Sequence, residues 1–362
     1  MLCIGVVFLS HVGILAQLHT RHPRRMLGRA VIQGEQMKVW HWIVGALAVL
    51  LLLLGVVLFE GDLPAAEVEA RYSNSSSQFF ELTNGARIHY RDEGLRDGPA
   101  LLLIHGAMAS LHTWGGWVEA LGNSYRVISV DLPGHGLTGP TPPFAEGEDP
   151  FLSSVAQLLL HLDVSRVALA GNSMGGGVSW RYALEYPQQV SGLILIAAVP
   201  PRTPDRAVQQ GGGGSIGFRL LRMDWFRAVA RYLDPRLLVE QGLRSAYHNS
   251  PVVDDALVQR YSDMILREGT RAAILNRAQG RRSSPDVAQL ATLSTPTLVM
   301  WGAHDALIPV STVDVFQAAL PHAKTVVFPD LGHVPMEEAP QRTARLAAEF
   351  LGGLDTSAAV DL

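Results

Sequence analysis

Residues 167–176 read Val-Ala-Leu-Ala-Gly-Asn-Ser-Met-Gly-Gly. An apolar run suited to a strand buried on both faces passes through G-x-S-x-G at Gly171–Gly175 and on into a helix-length segment. A serine at such a junction sits on a sharp, strained turn. Small glycines flank it because side chains there would collide with neighbouring main chain. The turn lifts the Ser173 hydroxyl clear of the sheet and places it at the positive end of the following helix. Ser173 is therefore the candidate nucleophile, and a bland Gly/Ser-rich loop is the weaker reading of the same residues.

Outward from this stretch, short apolar runs recur. Gln78–Leu82 and Ala86–Tyr90 flank Thr83-Asn84-Gly85, a hairpin-turn signal. Ala100–Ile104, Arg126–Val130, Arg166–Ala170, Gly192–Ala198, Thr297–Trp301 and Thr325–Phe328 follow. Helix-length segments at 151–163, 176–186 and 310–320 separate several of them. Strands alternating with helices predict an α/β chain with a mostly parallel sheet flanked by helices. Residues 200–292 break the alternation with helical periodicity around 218–233, 235–247 and 252–276, and predict a helical cap. Within it Trp225, Phe226, Tyr232 and Leu237 are read as cap core, with an acyl pocket as the alternative.

A serine hydroxyl is a weak nucleophile until a base takes its proton. Trp301-Gly302-Ala303-His304-Asp305 puts an acid after one strand, and Leu331-Gly332-His333 puts an imidazole after the last one. The order Ser, acid, His is the one this kind of strand-turn-helix site uses. His333 is the candidate base and Asp305 its orienting acid, with Asp330 read as a solvated turn residue and His304 as part of a turn. A tetrahedral intermediate also needs two donors aimed at its oxyanion. The Met174 amide is one and Ala107, in the loop after His105-Gly106, is the other, with Met108 as the alternative. His105 is expected to brace that loop.

These motifs resemble the α/β-hydrolase superfamily. His105-Gly106, Asp131-Leu132-Pro133-Gly134-His135-Gly136, the Ser173 turn, Trp301–Asp305 and Gly332-His333 carry the resemblance in order over about residues 78–352. It implies the α/β-hydrolase fold, a Ser-His-Asp triad working through an acyl-enzyme, and structural roles for Asp131 and His135. The elbow and an N-terminal anchor resemble membrane-bound esterases of the monoacylglycerol-lipase type. The elbow is also similar to that of C–C bond hydrolases, but Gly106–Ser110 lacks proline and Val334-Pro335, with no tryptophan, follows His333. Serine at the nucleophile position disfavours dehalogenase and epoxide-hydrolase chemistry, which uses aspartate there. The leading expectation is hydrolysis of a small-molecule or lipid carboxylic ester. Amide, thioester or C–C cleavage is the alternative, and a non-catalytic binding protein a more distant one.

Val39–Phe59 is an apolar run about as long as the ~20 residues needed to cross a bilayer, opening on Trp40 and Trp42. Residues 1–59 hold Arg21, Arg24, Arg25, Arg29 and Lys38 against Glu35 alone, a net of +4 in a chain of −4, leaving −8 for the rest. Basic residues before the run and acidic ones after it predict a single-pass anchor, a cleaved signal peptide being the alternative, with the catalytic domain extracytoplasmic, periplasmic in a bacterium. The apolar run at 2–18 reads either as a second span or as the product of an upstream start codon. So acidic a globular part is a poor match for nucleic acid. Cys3 is the sole cysteine, no HExxH or paired-ligand spacing points to a metal, and no G-x-G-x-x-G opens a βαβ unit. No cofactor is expected. The domain organisation so predicted is a basic segment at 1–38, the anchor at 39–59, a linker at 60–77, a core at 78–199 and 293–352, the cap at 200–292 and a tail at 353–362.

Overall fold

The computed structural model describes residues 40–50, 53, 55, 58–203, 223–248, 250–277 and 285–358. The chain divides into two units, 1–58 and 59–362. In the first, residues 40–50 are helical and present exposed apolar side chains, Trp42 at 80%. The expected 39–59 span lies partly outside the described residues, and the 2–18 run wholly so. Among the described residues no helix is long and apolar enough to cross a membrane.

The second unit is built on an eight-stranded sheet: β1 (Ser77–Glu81), β2 (Arg87–Gly94), β3 (Ala100–Ile104), β4 (Arg126–Val130), β5 (Val167–Asn172), β6 (Val190–Ile196), β7 (Thr297–Gly302) and β8 (Lys324–Phe328). Their order is β1-β2-β4-β3-β5-β6-β7-β8. The β1–β2 and β2–β4 pairs are antiparallel and the rest parallel. Every strand expected from the apolar runs is present. The hairpin between β1 and β2 turns at Gly85, whose φ of 81° only glycine adopts without strain. The Asn84 side chain accepts from the Ala86 amide at 3.0 Å.

Because a strand's side chains alternate faces, each central strand feeds two cores. Leu102, Ile104, Leu169, Val299 and Trp301 pack on one side. Leu101, Leu103, Ala168, Ala170 and Met300 pack on the other. The first core is covered by α3 (Pro150–His161), α4 (Met174–Glu185) and α10 (Thr312–Ala319); the second by α2 (Gly115–Leu121), α12 (Pro340–Ala358) and part of the cap. Asp149 starts α3, its carboxylate accepting from the Phe151 and Leu152 amides ahead of Pro150 in the first turn. Trp114, Trp117, Trp180 and Trp301 are fully buried, and losing one to alanine costs about 3–5 kcal/mol in such a core. These three layers hold the C-terminal ends of β3, β5, β7 and β8 in register, where the candidate site residues sit.

Between β6 and β7 lie five described helices, α5 (Asp224–Ala230), α6 (Arg236–Ala246), α7 (Asp255–Leu266), α8 (Thr270–Arg277) and α9 (Val287–Leu290). A helical insertion is what the broken alternation predicted. Its core is not the aromatic set expected, however. Trp225, Tyr232 and Leu237 are 63%, 52% and 67% exposed, and α5 buries none of its residues. The cap packs instead through Leu243, Ala246, Tyr247, Leu257 and Val258. Periodicity marked the helices but could not tell which face met the sheet.

The stretch 60–77 is also more than a linker. It contains α1 (Ala65–Tyr72), with Val68 buried, and it clasps the cap. Leu63 exchanges main-chain bonds with Leu266 and Glu268, at 2.7 and 2.8 Å. Asp62 pairs with Arg271, while Arg71 and Tyr72 both reach the buried Asp263, at 2.5 and 2.7 Å. Polar composition suggested an open linker, but here the charges face partners far along the chain.

Candidate active site

Ser173 stands between β5 and α4 at φ 53°, ψ −115°, a sparsely populated backbone conformation. The surroundings hold it there. Its amide donates to Ile196 O and its carbonyl accepts from Gly177 and Val199, all within 2.9–3.1 Å. A β-carbon on Gly171 would overlap Gly175 O, and one on Gly175 would overlap Ile104 O and His105 O. Both glycines of the motif are therefore sterically required. The Ser173 hydroxyl does not cap its own helix, and so remains available for chemistry.

Asp305 and His333 meet. His333 Nδ1 lies 2.7 Å from Asp305 Oδ2, both residues buried on loops that follow β7 and β8. The other carboxylate oxygen accepts from the Leu307 and Ile308 amides at 2.8 Å each. Oδ1 is thereby fixed to main chain, so the acid presents Oδ2 to the imidazole. A proton on Nδ1 makes this bond and leaves Nε2 free to accept another. Asp330, the rejected alternative, is exposed and paired to Arg342 at 2.7 Å. Among the described residues no hydrogen bond joins the Ser173 hydroxyl to His333. The elbow is tied to the histidine loop through Asn172, whose Nδ2 donates to His333 O at 3.0 Å and Ile196 O at 3.2 Å. Sequence reading passed over Asn172, because its partners are distant main-chain carbonyls that leave no local signature.

Met174 opens α4 and Ala107 lies exposed in the loop after β3, where Met108 takes a φ of 59°. Neither the Met174 nor the Ala107 amide donates to a main-chain carbonyl among the described residues. His105 braces this loop as expected. Its Nε2 accepts from the Leu132 amide at 3.0 Å, and Nδ1 donates to Gly106 O at 2.7 Å. That pattern requires a neutral ring.

A second buried His–Asp pair, His89 Nδ1 to Asp131 Oδ2 at 2.7 Å, resembles the first in bond length alone. Both side chains are inaccessible, and the Asp131 oxygens also take the Leu111 and Leu137 amides. Burial pushes the Asp131 carboxyl up, but the hydrogen bond from His89 and the electrostatic attraction of that ring outweigh it and hold the group well below the usual carboxylate range. This is a knot that shapes the 131–138 loop, as the sequence resemblance implied for Asp131.

Comparison with known proteins places this architecture. Residues 99–340 match the family of the alpha/beta hydrolase fold. The pimeloyl-[acyl-carrier protein] methyl ester esterase of Edwardsiella ictaluri is 30% identical, the alignment covering 73% of this chain and 96% of that one. A 2-hydroxy-6-oxononadienedioate/2-hydroxy-6-oxononatrienedioate hydrolase of Burkholderia vietnamiensis is 28% identical over 73% and 91% of the two chains. The crystal structure of a membrane phospholipase A superposes with a TM-score of 0.61 at 24% identity, covering 92% of this chain and 99% of that one, a likeness of fold. The chain belongs to the α/β-hydrolase family, and it is a hydrolase.

Proposed function

We propose that the protein is a serine hydrolase of carboxylic esters. The observation that carries the reading is the strained Ser173 turn in one site with a buried, oriented Asp305–His333 pair. In the proposed reaction His333 Nε2 takes the Ser173 proton as the oxygen attacks the ester carbonyl. The Ala107 and Met174 amides receive the developing oxyanion. Asp305 holds the imidazole in its Nδ1–H tautomer and balances the imidazolium that forms. Proton return to the leaving alcohol gives an acyl-enzyme, and water then repeats the cycle to release the acid.

The ester class is supported by the methyl ester esterase relative. The motif resemblance to monoacylglycerol-lipase-type enzymes and the 39–59 apolar run favour lipid-derived, acylglycerol-like substrates met at a bilayer by a single-pass anchored, extracytoplasmic domain. C–C bond hydrolysis, the alternative on the same fold, is disfavoured by Val334-Pro335 after His333.

The deciding experiment pairs a fluorophosphonate probe with p-nitrophenyl esters of graded chain length. Wild type becomes labelled at Ser173, and Ser173→Ala folds but loses both labelling and nearly all turnover. Retained hydrolysis in Ser173→Ala rules the reading out.

A further inference from the structure

Four main-chain groups around His333 have partners, and two of them share one. The His333 amide donates to Ala246 O at 2.6 Å, and its carbonyl accepts from Asn172. The amides on either side both point at Glu338. Gly332 N lies 3.1 and 2.9 Å from Oε1 and Oε2, and Val334 N lies 3.1 Å from Oε1. The half-buried carboxyl is pushed up by burial, while the two amides pull the other way and favour its charged form. We propose that Glu338 is a positioning residue for His333: by gripping the amides that flank it, the carboxylate sets the imidazole against Asp305 and the Ser173 turn. The inference rests on the serine-hydrolase reading above.

Three points favour this over a plain cap on the short helix α11 (Pro335–Glu338). A helix cap needs one accepting oxygen near the first free amides, whereas here both oxygens are used and Gly332 lies before His333. The grip also completes a frame that the core alone does not supply, since the other two bonds come from the cap (Ala246) and the elbow (Asn172). Finally, the adjacent Glu337 faces away into a different network. Its carboxylate meets Tyr247, Tyr261 and Arg260, the last at 2.5 Å. Two consecutive carboxylates thus divide the work, Glu337 holding the cap helices and Glu338 the histidine loop.

Glu337 therefore supplies the control. Glutamine at 338 keeps the shape but offers one acceptor for two amides and turns an N–H toward the other. In the full-length protein, Glu338→Gln is expected to lower kcat about tenfold to hundredfold, the range for a displaced reacting group, with KM within about twofold and little change in thermal midpoint. Glu338→Asp, which keeps the charge on a shorter arm, should fall between. Glu337→Gln should lower the thermal midpoint more and leave kcat within about threefold of wild type. Wild-type kcat in Glu338→Gln overturns the proposal. So does a parallel loss of kcat and thermal midpoint matching that of Glu337→Gln. If Glu338→Gln does not fold, full kcat in Glu338→Asp overturns it as well. Activity surviving Ser173→Ala points instead to failure of the underlying serine reading.

Discussion

Replacing Asp305 by asparagine separates charge from shape at the site. The asparagine can sit in two ways. With its oxygen toward the Leu307 and Ile308 amides it keeps two 2.8 Å bonds, but then turns an N–H₂ group toward His333 Nδ1. That nitrogen must become the acceptor, the proton moves to Nε2, and the base can no longer take the Ser173 proton. Flipping the amide restores an acceptor for Nδ1–H but sets N–H₂ against two backbone donors. Each buried donor left unpaired costs about 1–3 kcal/mol. The productive flip is therefore disfavoured by about 2–6 kcal/mol, and at about 1.4 kcal/mol per decade it is populated about 30-fold to 10⁴-fold less often. Loss of the charge that balances the imidazolium lowers the rate further. We expect kcat for p-nitrophenyl esters to fall by about 10³-fold or more with KM little changed. Asp330→Asn, which loses only an exposed ion pair with Arg342, should stay within about twofold. If Asp305→Asn keeps a tenth of wild-type kcat, or Asp330→Asn is the more damaging, the acid has been misplaced.

Gly175→Ala should cost at least about 2 kcal/mol or leave no soluble protein, because the new methyl meets the rigid carbonyls of Ile104 and His105. Gly115→Ala, facing open space in α2, should be neutral or stabilising by up to about 1 kcal/mol; urea melts of the pair test this. Burial lowers His112 from its ordinary 6.5 to about 4, so the folded state keeps it neutral while the unfolded chain protonates. The stability this confers is fully present above pH 6.5 and is lost as pH falls toward 4, on the order of 2 kcal/mol by pH 5. His112→Gln should flatten that part of the urea-midpoint profile, and an unchanged slope would refute the assignment. Reporter fusions after residue 75 should be active outside the cytoplasm and the protein should resist a carbonate wash; release into the soluble fraction would remove the proposed anchor.

The strands were readable because a sheet covered on both faces demands short, mainly apolar runs, and β3 through β7 have them. The Ser173 turn and the Asp305–His333 contact were readable because each residue follows a strand end in a fixed order. What the sequence hid shares one physical trait: it depends on main-chain groups brought close only by folding. Asn172 and Glu338 grip backbone atoms of the histidine loop, and no side-chain pattern announces a carbonyl or amide as the partner. The segment at 60–77 misled for a related reason. Its composition is that of a solvated connector, yet Asp62, Glu69 and Arg71 meet Arg271, Arg267 and Asp263 some two hundred residues on. In the cap, Trp225 and Leu237 looked internal because large apolar residues usually are.

The clasp between residues 59–72 and the cap also defines a mechanical route. Tension applied to the chain ahead of Phe59 first meets the main-chain bond from Glu60 to Tyr232, then the Leu63 pairing with Leu266 and Glu268. The Asp62–Arg271 ion pair lies between these two and the Arg71–Asp263 pair beyond them. All of these end on the cap, and the first tie to the sheet comes further along than Leu63, where Glu69 pairs with Arg87 of β2 at 2.8 Å. A tug on the N-terminal side is thus delivered to the helices over the site before it reaches the strands that hold Ser173, Asp305 and His333.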